Sequence, residues 1–421
     1  MRFTVLSLYL AALAGCEGSV TEYPEFQRYG TQLAEMRSAL DDPLVQFVGI
    51  AGVGDSIMWG RTLPENSPVT PRTRFLDTAR DNSDSPSFWN GFRKHIGEKY
   101  MPGVDPVLGN WAASPSGESV VTYTRQVQVF PDGQAFSTSH VGHGQSLEVL
   151  NRKDSATGRV LVLRDDEGDG QASQSVSFKF TGSELAVLYR KGSPEDFSRY
   201  DLIVDGQNLG TFSAGADDAD TTDSQARIDH KFSYVRDKVV EIRTNSTGLP
   251  GRRVLAIEGL DIPKTIRLTN QGVIGQTAKT YNLYNLSGRY GQAAVTAQDQ
   301  FVIAQFGTND RGEKGTVSGD GNFDRNLQAL VDRLAPQANV ILMVAGPILE
   351  GGKADTRTAM TMQEVRGVVD AVAKRNKIDF IDNLTPFDGT DASKVVDGFA
   401  HPNERGHAIM ARNIIGALES K

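Results

Sequence analysis

The pattern of apolar and polar residues changes twice along this chain of 421 residues, and this change constrains the fold more than any single motif. In residues 43–105 and again in residues 262–421, short apolar stretches alternate with helical patterns, which predicts an α/β fold with a parallel sheet. Residues 106–261 instead hold short alternating segments rich in β-branched residues, separated by Gly, Asp and Asn, which predict an all-β module. We therefore expect a discontinuous α/β domain that is interrupted by a jelly-roll-like β-sandwich.

Ser56 lies where the first strand of the α/β domain should end. The stretch LVQFVGIAGVGDS predicts a short buried strand that ends in glycines, so that Ser56 stands at the turn from a strand into a helix. A hydroxyl at such a turn is exposed and close to unpaired backbone N–H groups. Acyl transfer needs a hydroxyl of this kind beside a base, which makes Ser56 a candidate nucleophile.

Two later segments are suited to stabilise an oxyanion. The stretch FVIAQFGTND predicts a buried strand that delivers Asn309, whose side-chain amide can donate a hydrogen bond where a carboxylate cannot. The stretch TIRLTNQGVIGQ predicts a strand that ends in two glycines, and Gly275 lets a ligand oxygen approach the backbone N–H without a clashing Cβ.

His401 is the candidate base. It is followed by Pro402-Asn403 and by a predicted amphipathic C-terminal helix, whose start would hold the imidazole in a fixed loop. Asp397 is the carboxylate that would orient this imidazole and stabilise its charged form.

Three blocks, GDS at Ser56, GTND at Asn309 and HPN at His401, stand in the order of the GDSL, or SGNH, esterase superfamily, which the chain resembles. The resemblance implies a flavodoxin-like three-layer α/β/α sandwich with a parallel sheet. It also implies that Ser56 attacks the ester, that His401 accepts the serine proton, and that Ser56 N–H, Gly275 N–H and Asn309 form the oxyanion hole. The inserted module resembles the carbohydrate-binding-like sandwiches found beside SGNH domains, which implies a carbohydrate contact through it.

The acid that would orient His401 departs from the family pattern. The usual spacing places Asp three residues before His, whereas Asp397 precedes His401 by four. A loop can absorb one residue, so Asp397 is the predicted third member of the triad, with Asp391 or a backbone carbonyl as the alternative. The chemistry requires no cofactor, and no complete zinc or calcium motif indicates a metal site.

Loops at the carboxyl ends of the strands are expected to select the substrate, because ligands bind there in open α/β sheets. Residues 61–86, 311–322 and 349–358 are polar and small, and they lack the apolar clusters that a long acyl chain would need. We therefore predict a serine esterase that removes acetyl or other short acyl groups from a glycan. The alternatives are a lipase or thioesterase of the same superfamily and an inactive surface protein that binds glycans. A net charge of −8 without a concentrated basic face disfavours nucleic acid as a partner.

The N-terminus has the pattern of an export signal. Arg2 precedes an apolar stretch that ends in Leu-Ala-Gly and Cys16, the only cysteine of the chain. This resembles a bacterial lipoprotein signal over residues 1–16 with Cys16 lipidated, followed by a helical linker over residues 17–42. The pattern predicts an extracytoplasmic protein that is held at the outer membrane by its lipid alone, or a secreted protein if the signal is an ordinary one.

Overall fold

The computed structural model describes residues 28–61, 79–109, 119–141, 147–165, 173–193, 195–216, 222–249, 251, 253–289, 293–311, 322–349, 360–387, 389–397 and 400–420. Cys16 and the rest of the signal pattern lie outside the described residues. So do most of the three loops that are predicted to select the substrate, residues 61–86, 311–322 and 349–358.

Within these residues the helices are α1 Gln32–Asp41, α2 Ser56–Trp59, α3 Phe88–Tyr100, α4 Ala278–Tyr284, α5 Phe323–Leu334, α6 Met362–Asn376 and α7 Glu404–Glu419. The strands are β1 Phe47–Gly54, β2 Val107–Gly109, β3 Val120–Val129, β4 Phe136–Val141, β5 Glu148–Asn151, β6 Arg159–Asp165, β7 Ser173–Arg190, β8 Arg199–Val204, β9 Gln207–Ser213, β10 Gln225–Asn245, β11 Arg253–Gly272, β12 Phe301–Gln305, β13 Asn339–Val344, β14 Phe380–Asp382, β15 Val396–Asp397 and β16 His401–Pro402. Among the described helices, none is both long and apolar enough to cross a membrane.

Strands β14, β13, β12, β1 and β11 lie side by side in that order and run parallel. If these five strands are numbered in chain order and read from β11 to β14, the order is 2-1-3-4-5, which is the flavodoxin-like arrangement. The three central strands are buried almost throughout, because helices cover both faces of the sheet. Helices α1 and α3 both pack on α7, while α4 and α6 both pack on α5. The structure thus confirms the predicted three-layer α/β/α fold.

The strand order reverses between β1 and β12, and this point fixes where a ligand can bind. Ligands of open α/β sheets lie in the crevice at the carboxyl ends of the two strands that flank such a reversal. The last residues of these strands, Gly54 and Gln305, are paired across the sheet. Ser56 and Asn309 follow these two strand ends, so the fold brings both predicted site residues to one crevice.

Strand β11 belongs to both parts of the protein. Its residues 265–272 pair with β1 in the parallel sheet, while residues 253–261 pair antiparallel with β6 and β7 of the β module. Two hydrophobic cores follow the same division, with Ile266 and Leu268 in the first core and Leu255 and Leu260 in the second. The change of texture near residue 262 therefore falls inside one continuous strand.

The predicted start of the β module at residue 106 differs from the packing. Strand β3 pairs antiparallel with residues 262–269 of β11, and its side chains Val121 and Tyr123 belong to the first core. It therefore extends the sheet of the α/β domain by an antiparallel strand, and β2 pairs with its other side. The second core is built by β6, β7, β8, β10 and β11. A jelly-roll topology for these strands stays a prediction.

The helical segment before β1 is part of the α/β domain, which corrects the prediction of a linker over residues 17–42. In α1, Leu33, Met36 and Leu40 are fully buried in the first core. Their spacing of three and four residues gives the helix one apolar face, which packs on the sheet side of the domain. Lys264 of β11 fixes the end of α1, because its Nζ donates to the carbonyl oxygens of Ala39 at 2.9 Å and of Asp42 at 2.6 Å.

Candidate active site

Ser56 is the first residue of α2, directly after the turn that leaves β1. Asp55 caps this helix, with its Oδ1 accepting a hydrogen bond from the Ile57 N–H at 2.9 Å. Glycine is required before Asp55, since a Cβ on Gly54 would lie 2.6 Å from the carbonyl oxygen of Gln305. Ser56 is only 3% exposed. The tight turn therefore holds its hydroxyl in one place at the carboxyl edge of the sheet.

His401 lies beside this hydroxyl, with its Nε2 2.9 Å from Ser56 Oγ. Asn403 caps helix α7 by accepting a hydrogen bond from the Gly406 N–H, and this cap fixes the loop that carries the imidazole. Burial, together with the positive charge of nearby Arg61, lowers the pKa of His401 to about 4. The imidazole is therefore neutral at neutral pH, and its Nε2 can accept the serine proton.

The structure does not bring either predicted carboxylate to His401. Asp397 faces His401 across the short antiparallel pair of β15 and β16, but its side chain is exposed. Among the described residues, no hydrogen bond or ion pair joins a carboxylate to the imidazole. The Asp391 carboxylate instead accepts hydrogen bonds from the N–H and hydroxyl of Ser393. By sequence, Gly398 occupies the position three residues before His401.

Replacing Asp397 by asparagine is therefore expected to change kcat/KM by less than about threefold, because an exposed side chain without a specific contact contributes little.

The acid limb of the pH profile should lie near pH 4, since activity requires neutral His401 and is lost as pH falls through the pKa of this residue. Both quantities are measured on p-nitrophenyl acetate between pH 3.5 and 8 for the parent, Asp397→Asn and, as a matched control, Asp391→Asn. A loss of about 10⁴-fold in Asp397→Asn alone would make it the triad acid.

Three candidate oxyanion donors lie on the segments that follow β1, β11 and β12. Asn309 follows β12, and one N–H of its side-chain amide donates to the Gln276 carbonyl oxygen at 3.0 Å, which leaves the second N–H free. Gly275 has φ of +78° with open space where a Cβ would stand. Among the described residues, the backbone N–H groups of Ser56 and Gly275 have no hydrogen-bond acceptor. These are the donors that an oxyanion requires.

Asp310 links the two loops that carry these donors, and the sequence prediction missed it. Its Oδ1 accepts a hydrogen bond from the Ala278 N–H at 2.9 Å, and its Oδ2 accepts one from the Gly307 N–H at 3.2 Å. One buried carboxyl group therefore holds the start of α4 against the loop after β12, and so holds Asn309 against the Gly275 loop. Burial, reinforced by the charge of Asp55, raises the pKa of Asp310 to about 8.

Asp55 is the second buried carboxyl beneath the site. Burial raises its pKa to about 7, and the hydrogen bond from Ile57 partly opposes this rise. Its position in the GDS block, one residue before a helix, is the signal of an N-cap that would have identified it from the sequence. No comparable local signal marks Asp310, because its partner Ala278 lies 32 residues away in the chain.

His407 has a structural role that its place in a predicted helix did not reveal. The side chain is fully buried, and its Nδ1 accepts a hydrogen bond from the Phe88 N–H at 3.2 Å. Its ring also stacks on that of Phe88, with 5.9 Å between the ring centroids. Helix α7 is thereby joined to α3, which steadies the helix that follows His401.

No group of three or more His, Cys, Asp or Glu side chains is arranged to hold a metal ion in the part of the chain that the structure describes. His140 is exposed on β4, and His143 lies outside the described residues.

A buried serine against a neutral imidazole, with unpaired N–H donors on neighbouring loops, is the machinery of a serine hydrolase that transfers acyl groups. Residues 247–409 match the GDSL-like lipase/acylhydrolase family. Over these residues the chain is therefore similar to the GDSL-like, or SGNH, ester hydrolases. The matched segment contains Gly275, Asn309 and His401, whereas Ser56 precedes it and reaches the site through the fold.

Two similar solved structures carry names of acetylesterases. A peptidoglycan O-acetylesterase is 13% identical over 94% of this chain and 98% of its own, with a TM-score of 0.39. An acetylxylan esterase from Geobacillus stearothermophilus is 22% identical over 37% of this chain and 74% of its own, with a TM-score of 0.31. No curated protein sequence shows a significant match to the chain.

Proposed function

We propose that this protein is a serine esterase that removes acetyl or similarly short acyl groups from a polysaccharide through an acyl-enzyme intermediate. The observation that carries the proposal is the contact of Ser56 Oγ with His401 Nε2 at 2.9 Å, beside unpaired N–H donors. Geometry of this kind supports nucleophilic attack on an ester carbonyl.

The reaction proceeds in two acyl transfers. Ser56 Oγ attacks the ester carbonyl while His401 Nε2 takes the serine proton, and the carbonyl oxygen becomes an oxyanion. The N–H groups of Ser56, Gly275 and Asn309 stabilise this oxyanion. Collapse breaks the bond to the sugar oxygen, which leaves as an alcohol with the proton from His401. Water that is deprotonated by His401 then attacks the acyl-serine, releases acetate and restores Ser56.

The short acyl group and the polar scaffold follow from the surroundings of the nucleophile. Arg61, whose charge acts on His401, lies two residues after the end of α2. The loops that follow β1, β12 and β13 are rich in Gly, Ser, Thr, Asp and Arg by sequence. Long acyl chains need an apolar pocket that buries most of their surface, and these loops do not provide the residues for it. An extracytoplasmic location, which the Cys16 signal predicts, would give the enzyme access to cell-surface or environmental glycans.

The test compares ester chain lengths and natural polymers. We expect kcat/KM to fall from p-nitrophenyl acetate through the butyrate to the octanoate, and acetate to be released from acetylxylan or from O-acetylated peptidoglycan. These polymers are chosen because the names of the two similar structures mention them. A preference for octanoate would instead indicate a lipase or thioesterase, and the absence of turnover on every substrate would indicate a glycan-binding protein without catalysis.

A further inference from the structure

A second cleft lies at the junction of the α/β domain and the β module, and we call it the junction cleft. Its volume is about 540 Å³, and its lining includes Gln46, Phe47, Glu184, Tyr234, Thr265 and Gln298. Phe47 is the first residue of β1, whereas Ser56 follows the last. A strand of eight residues spans about 26 Å, so the junction cleft opens at the opposite edge of the sheet from the nucleophile.

Tyr234 presents a fixed aromatic ring to this cleft. The side chain is 49% exposed, yet its hydroxyl accepts a hydrogen bond at 2.9 Å from the Nε2 of Gln300, which is only 5% exposed. The pairing of β10 with β7 shifts register between Lys231 and Val235, and an irregularity of this kind redirects the side chain. The half-exposed ring is thus held at its hydroxyl end, which lowers the entropy cost of binding a ligand there.

The polar groups around the ring fit hydroxyl-bearing ligands. Gln298 is exposed, and its side-chain amide makes no hydrogen bond to the described residues. Glu184 is half-buried in the wall, with Gln46 Nε2 3.5 Å from its Oε1. An amide both donates and accepts, while a carboxylate only accepts, so together they match sugar hydroxyls, which do both.

The same lining argues against other ligand classes. A phosphate-bearing ligand such as nucleic acid requires several Arg and Lys side chains, whereas the charged residue of the cleft lining is Glu184, whose carboxylate is paired with Lys231 Nζ at 3.5 Å. A lipid chain requires a continuous apolar wall, but Gln46, Thr265 and Gln298 interrupt this one. An open aromatic face bordered by planar polar side chains is instead suited to a neutral pyranose, whose C–H face is apolar and whose rim carries hydroxyls.

We propose that the junction cleft binds neutral pyranose units of a polysaccharide chain, remote from the ester that Ser56 attacks. The inference rests on the proposed action on a glycan, and it assigns to Tyr234 and Gln298 a share of the affinity for the polymer. Small esters do not reach the cleft, so its loss should raise KM for the polymer and leave kcat unchanged. Turnover of p-nitrophenyl acetate should also be unchanged.

The test uses Tyr234→Ala in the full chain, with Val239→Ala as its control on the same strand. Val239 is 51% exposed and does not line the cleft, so the control removes a similarly exposed side chain from β10. Binding to deacetylated xylan and to deacetylated peptidoglycan glycan is measured by isothermal titration calorimetry. Because neither polymer carries an acetyl ester, binding is read independently of catalysis. We expect Tyr234→Ala to weaken binding of at least one polymer about tenfold, which is typical for loss of a central tyrosine, and Val239→Ala to leave it unchanged.

Catalytic measurements separate this proposal from the esterase proposal. Parent protein that releases no acetate from acetylated polymers contradicts the esterase proposal, whereas binding of the deacetylated polymers is still decided by calorimetry. The proposal for the junction cleft is overturned if the parent protein binds neither polymer, or if Tyr234→Ala binds as tightly as Val239→Ala. Unchanged turnover of p-nitrophenyl acetate shows that Tyr234→Ala is folded. If it does not fold, Gln298→Ala in the exposed loop replaces it, with the same expected direction and a smaller effect.

Discussion

Replacing Ser56 by alanine is expected to lower kcat for p-nitrophenyl acetate by about 10⁴- to 10⁶-fold, which is the range for loss of a nucleophile that works with its base as a unit. His401→Ala should cost a similar factor, because Nε2 is the atom that receives the proton of Ser56 Oγ, 2.9 Å away. The double variant should then be no slower than either single variant, since each substitution already removes the whole attacking unit.

The control for these variants is Ser287→Ala, which removes an exposed hydroxyl in the turn after α4 that donates to the carbonyl oxygens of Leu283 and Tyr284. We expect it to retain the activity of the parent. More than one hundredth of the parent activity in Ser56→Ala would locate the nucleophile elsewhere. Additive losses in the double variant would show that Ser56 and His401 act in separate steps, which the hydrogen bond between them argues against.

The sequence was sufficient to predict that Ser56 and Asn309 lie at the same end of the sheet, because the ends of the strands before them can be recognised in it. Ser56 and His401 are 345 residues apart in the chain. Apolar runs that end in glycine mark the ends of β1 and β12, and parallel strands bring such ends to one edge of a sheet. The residues after them, Ser56 and Asn309, are therefore neighbours whatever the length of the insertion between them.

The contacts that orient the site were not predictable in this way, because they form through space. The role of Asp397 was inferred from its position four residues before His401, but its side chain is exposed. Asp310 accepts a hydrogen bond from the N–H of Ala278 at the start of α4, 32 residues away in the chain. No periodicity or local motif encodes that contact. Burial is decided by the tertiary fold, so the raised pKa of Asp310 was equally hidden.

The predicted domain boundaries differ from the packing for a related reason. The residue pattern of a segment indicates its secondary structure, but it does not show that one strand contributes to two hydrophobic cores. In β11 the texture changes near residue 262, while the backbone pairing continues from Arg253 to Gly272. By contrast, the spacing of Leu33, Met36 and Leu40 in the sequence indicates one apolar face of a helix. Only the assumption that a linker precedes the domain led to a different prediction.

Replacing Asn309 by alanine is expected to lower kcat about 100- to 1,000-fold with little change in KM for p-nitrophenyl acetate. The amide already has one N–H on the Gln276 carbonyl oxygen, so the second N–H is held in place before the substrate arrives. A donor of this kind acts chiefly on the oxyanion, which exists in the transition state and not in the bound ester. Its loss should therefore appear in kcat. Asn309→Asp should cost more than Asn309→Ala, because a carboxylate at this position repels the developing negative charge.

The measurement is steady-state kinetics of both variants beside Asn208→Ala, which removes a side-chain amide from β9 in the remote module. Thermal unfolding of each variant separates a loss of the donor from a loss of the fold. An increase in KM alone would mean that Asn309 only binds the ester. Equal losses in the alanine and aspartate variants would mean that it positions the Gly275 loop through Gln276. The predicted ranking, with aspartate slowest and the stability of all three variants close to that of the parent, is the outcome that only a direct contact with the oxyanion explains.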